Sequence, residues 1–370
     1  MRIALVAPLV STIAQPYIGG AQAMLADLAR GLQQRGHRVT LFARAGSQVE
    51  GVEIESIAVP ESVRPARFSA SASEGSADVG FFAQANLFLE IFLRLRQRSS
   101  EFDLVHTHAF DWPAYACSAL VSEIPMLHTL HLPAIASEIN AALRGLDQQG
   151  HPLTLLTVSQ SCARTYAPYT PIDYVIYNGI AVQAIPFQAT VAPDAPLLFA
   201  GRIAPEKGVE AALEIAEQAG YPLLIAGGVY DRDYYEQRIL PRIAQAGQHV
   251  TYIGQVARED LWKLMGQSLG LLCPVAWDEP FGLTPVESMA TGTPVIAFRR
   301  GAMTEIIRHG ETGFLVEPDD CTQAAALVSD LARLSRARCR AHVEGHFTLE
   351  KMLDEHERVY REILNTYKER

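Results

Sequence analysis

The chain is poor in lysine. Of its 370 residues only Lys207, Lys263, Lys351 and Lys368 are lysine, and none lies in the first 200. Lys+Arg total 31 against 41 Asp+Glu, a formal net charge of -10. Nucleic acids and anionic membranes are bound through broad positive potential, which this chain lacks, so both are excluded as general partners. An anionic ligand would have to be met by local devices. Cysteine is scarce as well: five residues, Cys117, Cys162, Cys273, Cys321 and Cys339, with no C-x-x-C pair. An odd, scattered set rules against a disulfide framework or a zinc ribbon and suits a reducing compartment, so a cytoplasmic location is expected. No run approaches the ~20 apolar residues of a membrane span. The apolar start, residues 1–10, carries one Arg and is interrupted by Pro8. It reads as a buried first strand rather than a signal peptide.

What is present is a large core: 49% of residues are apolar and 19% charged. At roughly 150 residues per domain the length implies about two domains. Strand and helix signals alternate through the first half. Residues 2–7 read as a strand, Gly19-Gly20 opens a helix with Met24, Leu25, Leu28 and Leu32 at a 3.6-residue period, and 38–43 is the next strand. Short apolar runs follow at 104–106, 126–130, 155–158 and 174–176, and the Ser/Ala-rich stretch 64–76 reads as a loop. Residues 181–196, with three prolines, read as a linker. The pattern then restarts, with strands expected at 197–200, 223–226, 250–253, 269–273, 294–297 and 314–316 and a long final helix over 349–367. Repeated strand–helix units predict parallel sheets covered by helices on both faces. Ligands of such sheets bind at the carboxyl ends of the strands, here in a cleft between two domains.

Four groups of residues can carry chemistry. The first is Glu279-Pro280-Phe281-Gly282-Leu283-Thr284-Pro285-Val286-Glu287, between a strand and a helix that ends near Gly292. Thr284 fits an N-cap, Pro285 the first helical position and Glu287 the third, a capping box. The same geometry offers backbone amides and the helix dipole to a phosphate, and Glu287 to ribose hydroxyls. The second group is Gly201-Arg202 with Glu206-Lys207-Gly208, directly after a strand. There Arg202 can fork onto phosphate oxygens and Lys207 adds a point charge, although exposed cations at a helix start are common without any ligand. The third is Gly19-Gly20, where the backbone can approach a ligand closely; without G-x-G-x-x-G, a nicotinamide dinucleotide is disfavoured. The fourth is a set of histidines, His106, His108, His128 and His131. No third ligand with metal spacing accompanies them, so hydrogen bonding is the favoured role and no metal is expected. Asp231-Arg232-Asp233 has D-x-D spacing, which the acidic preference of a first helical turn explains equally well. The amphipathic stretch 81–98, with Arg94, Arg96 and Arg98 near its end, suits a core-facing helix; interfacial membrane contact is the minority reading.

These residues taken together resemble the retaining nucleotide-sugar glycosyltransferases of family four, which have the GT-B fold. The resemblance rests on Glu279-x7-Glu287, Gly201-Arg202, Glu206-Lys207-Gly208, Gly19-Gly20, His131, Asn178-Gly179-Ile180 and Gly310-Glu311-Thr312-Gly313-Phe314-Leu315-Val316, in order along nearly the whole chain. It implies an α/β chain of two Rossmann-like domains facing across a cleft: 1–181 on the acceptor side, 182–347 on the donor side, and 348–370 as a helix crossing back to the first. It implies no obligatory metal or cofactor. Arg202 and Lys207 would bind the donor diphosphate, Glu287 the ribose, and Glu279 with Phe281, Gly282 and Leu283 the transferred sugar. Gly20 would approach the phosphates, His131 the reacting sugar, and Val256 the nucleobase. Gln22 departs from the acidic residue of many relatives.

Within the family, residues 8–22 and Gly228-Val229-Tyr230-Asp231 are similar to UDP-glucose:tetrahydrobiopterin glucosyltransferases. Tyr17, His108, Phe110 and Trp112 are the candidates for lining such an acceptor pocket. The expected reaction moves a hexose, glucose from UDP-glucose, to a hydroxyl acceptor with retention. A polysaccharide or lipid acceptor, a sugar-nucleotide epimerase and a non-catalytic sugar-nucleotide-binding protein are the alternatives.

Overall fold

The computed structural model describes residues 1–15, 17, 19–60, 63, 79–151 and 153–369. The 64–76 loop expectation lies outside them, as do Pro16 and Ile18 of the 8–22 run. The chain divides into two compact units. One comprises residues 1–158, 163–176 and 353–370; the other comprises 159–162 and 177–352.

The first unit holds a seven-stranded sheet in the order β3-β2-β1-β4-β5-β6-β7. Its strands are β1 Arg2–Val6, β2 Arg38–Arg44, β3 Glu53–Ile57, β4 Leu104–Thr107, β5 Met126–Leu130, β6 Thr154–Thr157 and β7 Tyr174–Val175. The second holds a six-stranded sheet in the order β10-β9-β8-β11-β12-β13. Here the strands are β8 Leu197–Ala200, β9 Leu223–Ala226, β10 Val250–Gly254, β11 Gly270–Cys273, β12 Val295–Phe298 and β13 Gly313–Val316. Every ladder between these strands is parallel. The apolar runs became strands because both faces are covered: Ile3, Leu5, Leu41, Leu197 and Leu271 are fully buried. Strand order reverses between β1 and β4 and again between β8 and β11. The loops after those four strands are therefore where each sheet can receive a ligand.

β3 was absent from the sequence-based expectation. Glu53-Ile54-Glu55-Ser56-Ile57 has no apolar run, because it is an edge strand with only Ile57 buried. A second difference concerns the helix Leu283–Thr291. Its N-cap is Gly282 at φ 100°, with no side-chain cap. The left-handed turn that glycine allows starts the helix early, so Thr284 and Pro285 lie inside it and the capping box does not form. Asp231, by contrast, is the N-cap of the turn Arg232–Tyr234, accepting from the Tyr234 amide at 2.9 Å.

The final helix, Leu349–Lys368, packs from residue 353 onward on the first unit. Gly31 of the helix Gly20–Gln34 lies so close that a Cβ there would meet Leu353 Cδ1 at 2.6 Å. Asp354 and Glu357 pair with Arg35 and His37 at 2.6 and 2.9 Å. The helix Val79–Gln97 exposes Phe81, Phe82, Leu89 and Leu93. Its arginines are matched, Arg94 to Glu55 at 3.1 Å and Arg96 to Glu123 at 3.2 Å, and Arg98, just past its end, also pairs with Glu55 at 3.1 Å. Among the described residues no helix is long and apolar enough to cross a membrane.

The 181–196 stretch is pinned rather than loose. Buried Arg336 donates to the carbonyls of Gln188 at 2.7 Å, Gly266 at 2.8 Å and Ser268 at 3.2 Å, and to Thr293 Oγ1 at 2.5 Å. Arg340 donates to the Val182, Ile185 and Ala290 carbonyls at 2.8–2.9 Å. Replacing Arg336 by Leu orphans several buried acceptors at about 1–3 kcal/mol each. The expected loss in urea unfolding is about 3–5 kcal/mol, with Arg336→Lys recovering only part because one ammonium cannot span four acceptors.

Candidate active site

In the second unit the site is built where β8 and β11 end. After β8, Pro205–Lys207 form a single 3-10 turn closed by Gly208 at φ 75°. A Cβ on Gly208 would sit 1.8 Å from the Pro274 carbonyl oxygen, so only glycine lets this turn lie against the chain leaving β11. The Ala276 amide completes the contact by donating to the Glu206 carbonyl at 3.0 Å. Lys207 Nζ thereby reaches Glu279 Oε2 at 2.6 Å. Trp277 Nε1 donates to the same oxygen at 2.8 Å, and Lys207 Nζ lies 5.1 Å from the Trp277 ring centroid. Glu279 is fixed from behind: the Ala302 amide donates to its carbonyl at 2.8 Å, and a Cβ on Gly301 would meet that carbonyl at 2.3 Å. The Lys207 and Glu279 side chains remain 19% and 12% exposed, enough for a ligand to touch both.

Arg202 lies 4.3 Å from the Tyr230 ring centroid and 3.3 Å from Glu206 Oε1. Glu287 is buried within its helix, where Arg258 donates to its Oε1 from Nε at 2.8 Å and Nη2 at 2.7 Å. Arg258 in turn lies 5.1 Å from the Trp262 ring centroid. Phe281 turns into the core against Tyr177 and Phe347, so any ligand contact at this position is through its backbone. Gly282 and Leu283 present the first amides of the helix Leu283–Thr291. Val256 is half-buried on the turn after β10.

Sequence reasoning missed Trp277 and Arg258, and it named Tyr230 only within the run 228–231, without its place over Arg202. Trp277 carried a usable signal, two residues before Glu279 in a loop leaving a strand. Arg258 carried none, being 29 residues from its carboxylate.

In the first unit, Gly20 is exposed at the start of its helix, which has Gly19 as N-cap. Gln22 Nε2 donates to Ser11 Oγ at 2.7 Å, which ties the helix to the loop after β1. Tyr17 is half-buried on that loop, Phe110 is half-buried and Trp112 is 38% exposed, 6.1 Å from the Phe81 ring.

The histidines form a buried stack at the ends of β4 and β5. His106 Nδ1 lies 2.7 Å from the Tyr360 hydroxyl and Nε2 2.7 Å from Thr129 Oγ1. The His108 ring centroid lies 4.0 Å from that of His106, with the planes tilted by 41°; His108 stacks on His131 at 5.2 Å, and its Nδ1 meets His131 Nε2 at 2.9 Å. His108 is thus an interior residue and His131 the outer member of the pair. Burial drives all four imidazoles toward the neutral form. His106 and His108 are held well below the usual range, with neighbouring histidines adding to the effect. His128 and His131 fall to about 3, the latter helped by His356. Asp111, also unforeseen from sequence, moves the other way: burial lifts it to about 6, against one hydrogen bond from Gln84 at 2.8 Å.

A histidine near 3 when folded and near 6.5 when unfolded stabilises the fold above pH 6.5 and loses that stability as pH falls toward 3. At pH 5, His128 alone accounts for about 2 kcal/mol of that loss. Asp111 opposes it weakly, favouring the fold as pH falls below about 6. Urea midpoints should therefore decline below pH 6.5. His128→Met, which removes two buried nitrogens without partners, should flatten the decline.

Comparison with known proteins accounts for both halves. Residues 18–184 match the family "Glycosyltransferase Family 4", and residues 185–343 match "Glycosyl transferases group 1". The chain is 28% identical to a glycogen synthase of Mycobacterium tuberculosis, over 84% of this chain and 82% of the relative. It is also 28% identical to a D-inositol 3-phosphate glycosyltransferase of Jonesia denitrificans, over 90% and 87%. The fold is similar to that of a sucrose-phosphate synthase from Thermosynechococcus elongatus, with a TM-score of 0.79 and 20% identity over 99% and 100% of the two chains. It is similar as well to that of HepE from Anabaena, solved with UDP-glucose, with a TM-score of 0.73 and 18% identity over 99% and 100%. The chain belongs to the family-four glycosyltransferases, enzymes of GT-B fold that transfer a sugar from a nucleotide-sugar with retention.

Proposed function

We propose that the chain transfers glucose from UDP-glucose to a hydroxyl of a small-molecule acceptor, the second unit holding the donor and the first the acceptor. The observation that carries this is the Lys207–Glu279–Trp277 cluster beside Arg202, at the switch point of the second sheet. Arg202 and Lys207 are assigned to the diphosphate. Negative charge grows there as the bond from the anomeric carbon to phosphate breaks, and fixed cations stabilise it without reorganisation. Glu279, oriented by Lys207 and Trp277, is assigned to hydroxyls of the transferred sugar, with the amides of Phe281, Gly282 and Leu283. Glu287, held by Arg258, is assigned to the ribose, and Val256 to the nucleobase. Gly20 and His131 are assigned to the phosphates and the reacting centre. The acceptor oxygen bonds to the anomeric carbon on the face the phosphate leaves, and its proton passes to a phosphate oxygen.

The uridine donor is supported by the HepE complexes, and only at the level of fold. Acceptors named for the relatives differ, from glycogen to inositol phosphate. A pterin therefore rests on the similarity of residues 8–22 and 228–231 alone, and is the first acceptor to test.

A thermal-shift screen of UDP-, GDP- and ADP-glucose should single out UDP-glucose, since stabilisation grows with the logarithm of ligand over Kd. Lys207→Ala should lower kcat/KM for UDP-glucose by ~10²-fold or more, about 3 kcal/mol. Unchanged turnover in that variant would remove the phosphate clamp from the account.

A further inference from the structure

The second unit includes an outlying piece of chain, residues 159–162, which follow β6 in sequence. Hydrogen bonds around Glu305, on the helix Met303–Ile306, hold it there. Glu305 Oε1 accepts from the Ser161 amide at 2.6 Å, and Oε2 accepts from the Gln160 amide at 2.9 Å. These are the first amides of the helix Gln160–Tyr166, which have no acceptor within the helix. Glu305 Oε2 also accepts from the Tyr177 hydroxyl at 2.9 Å. Three donors converge on this carboxylate. An amide of the same shape has one acceptor oxygen and would turn an NH2 against one of those donors. Ser159, fully buried, stands at the head of the same turn. Its Oγ accepts from the Cys162 amide at 3.0 Å and donates to the Pro280 carbonyl at 2.6 Å.

These bonds close on the stretch that carries Glu279. The Ala302 amide donates to the Glu279 carbonyl at 2.8 Å, and the Glu305 amide donates to the Ala302 carbonyl at 2.9 Å. The next carbonyl, that of Pro280, takes the Ser159 hydroxyl. The next side chain, the Phe281 ring, lies 6.2 Å from the ring of Tyr177. Three successive residues are thus each tied to Glu305 or to the turn it caps. Proline has no N–H, so its carbonyl is the one backbone group through which hydrogen bonding can hold Pro280. A trans peptide is planar, with its carbonyl and N–H on opposite sides. Fixing the Pro280 carbonyl on Ser159 therefore turns the Phe281 N–H away from Ser159.

We infer that Glu305 and Ser159 are positioning residues for the sugar end of the donor site. Glu305 fixes the turn 159–162, and Ser159 on that turn fixes the Pro280–Phe281 peptide and with it the neighbouring Glu279. The inference rests on the reading above, in which Glu279 and the Phe281 amide take hydroxyls of the transferred sugar. Both residues act through the loop backbone. Arg202 and Glu287 are held by other partners, Glu206 and Arg258, so loss of the clamp falls on the sugar more than on the nucleotide.

The test uses the full chain and its three tryptophan indoles, Trp112, Trp262 and Trp277. Trp277 Nε1 donates to Glu279 Oε2, so its resonance in a proton–nitrogen correlation spectrum reports the place of that carboxylate with no ligand present. Trp277→Phe gives the assignment. Ser159→Ala and Glu305→Gln should each move the Trp277 indole proton upfield, while Trp112 and Trp262 stay in place. A loosened fold would also move Trp262, which is buried. Glu305 is half-buried and glutamine keeps its volume, so the test stands even where Ser159→Ala does not fold. Calorimetric titrations with UDP and UDP-glucose supply the second readout. In both variants the affinity for UDP-glucose should fall about tenfold further than that for UDP, the worth of about one hydrogen bond. A Trp277 resonance that stays put in both variants overturns the inference. So does a ratio of the two affinities that Glu279→Gln changes and neither variant does. If Glu279→Gln leaves that ratio unchanged while the Trp277 resonance still moves in the two variants, the sugar assignment of Glu279 fails and the positioning stands.

Discussion

The partly buried ion pair between Lys207 and Glu279 is the interaction on which the second unit's site depends. Two loops that leave different strands are held against each other by it, and each has a glycine where a side chain would forbid the approach, Gly208 on one and Gly301 beside the other. A charge pair at this depth is not a simple source of stability, because desolvation offsets much of the attraction; removing one partner would strand the other. Its value lies in placement. Lys207 is held against Glu279, and Trp277 donates to the same Glu279 oxygen, so that one oxygen takes both donors. In the function proposed for it, this pairing sets a cation for a diphosphate next to a carboxylate for the hydroxyls of a neutral sugar.

The first unit works without formal charge. Its sheet switches direction between β1 and β4, as the second does between β8 and β11. The groups there are neutral imidazoles, an amide and aromatic rings. The histidine stack runs inward from His131 to Tyr360 on the final helix, which explains why that helix must return to this sheet. Burial holds these imidazoles in the neutral form.

Much of this was legible in the sequence because fully buried parallel strands appear as short apolar runs. The runs at 126–130, 197–200 and 223–226 became β5, β8 and β9 at those bounds. Where burial is one-sided the signal vanished, as with Glu53 and Glu55 in the edge strand β3. Thr284 misled because a proline and a spaced glutamate imitate a cap, while a left-handed Gly282 had already started the helix. The partners of the site residues were the least visible part. Arg258 meets Glu287, and His108 meets His131, through topology that no local spacing encodes. The charge count sharpened most: a chain with four lysines places one of them against Glu279 at the end of its second sheet's central strands.

The central claim is that Lys207 and Glu279 act as one unit on the donor. A double-mutant cycle measures this directly, with kcat/KM for UDP-glucose determined in Lys207→Met, Glu279→Gln and the double variant. Strong non-additivity is expected, each single substitution costing nearly as much as both together. Fully additive losses would show two independent residues and contradict it.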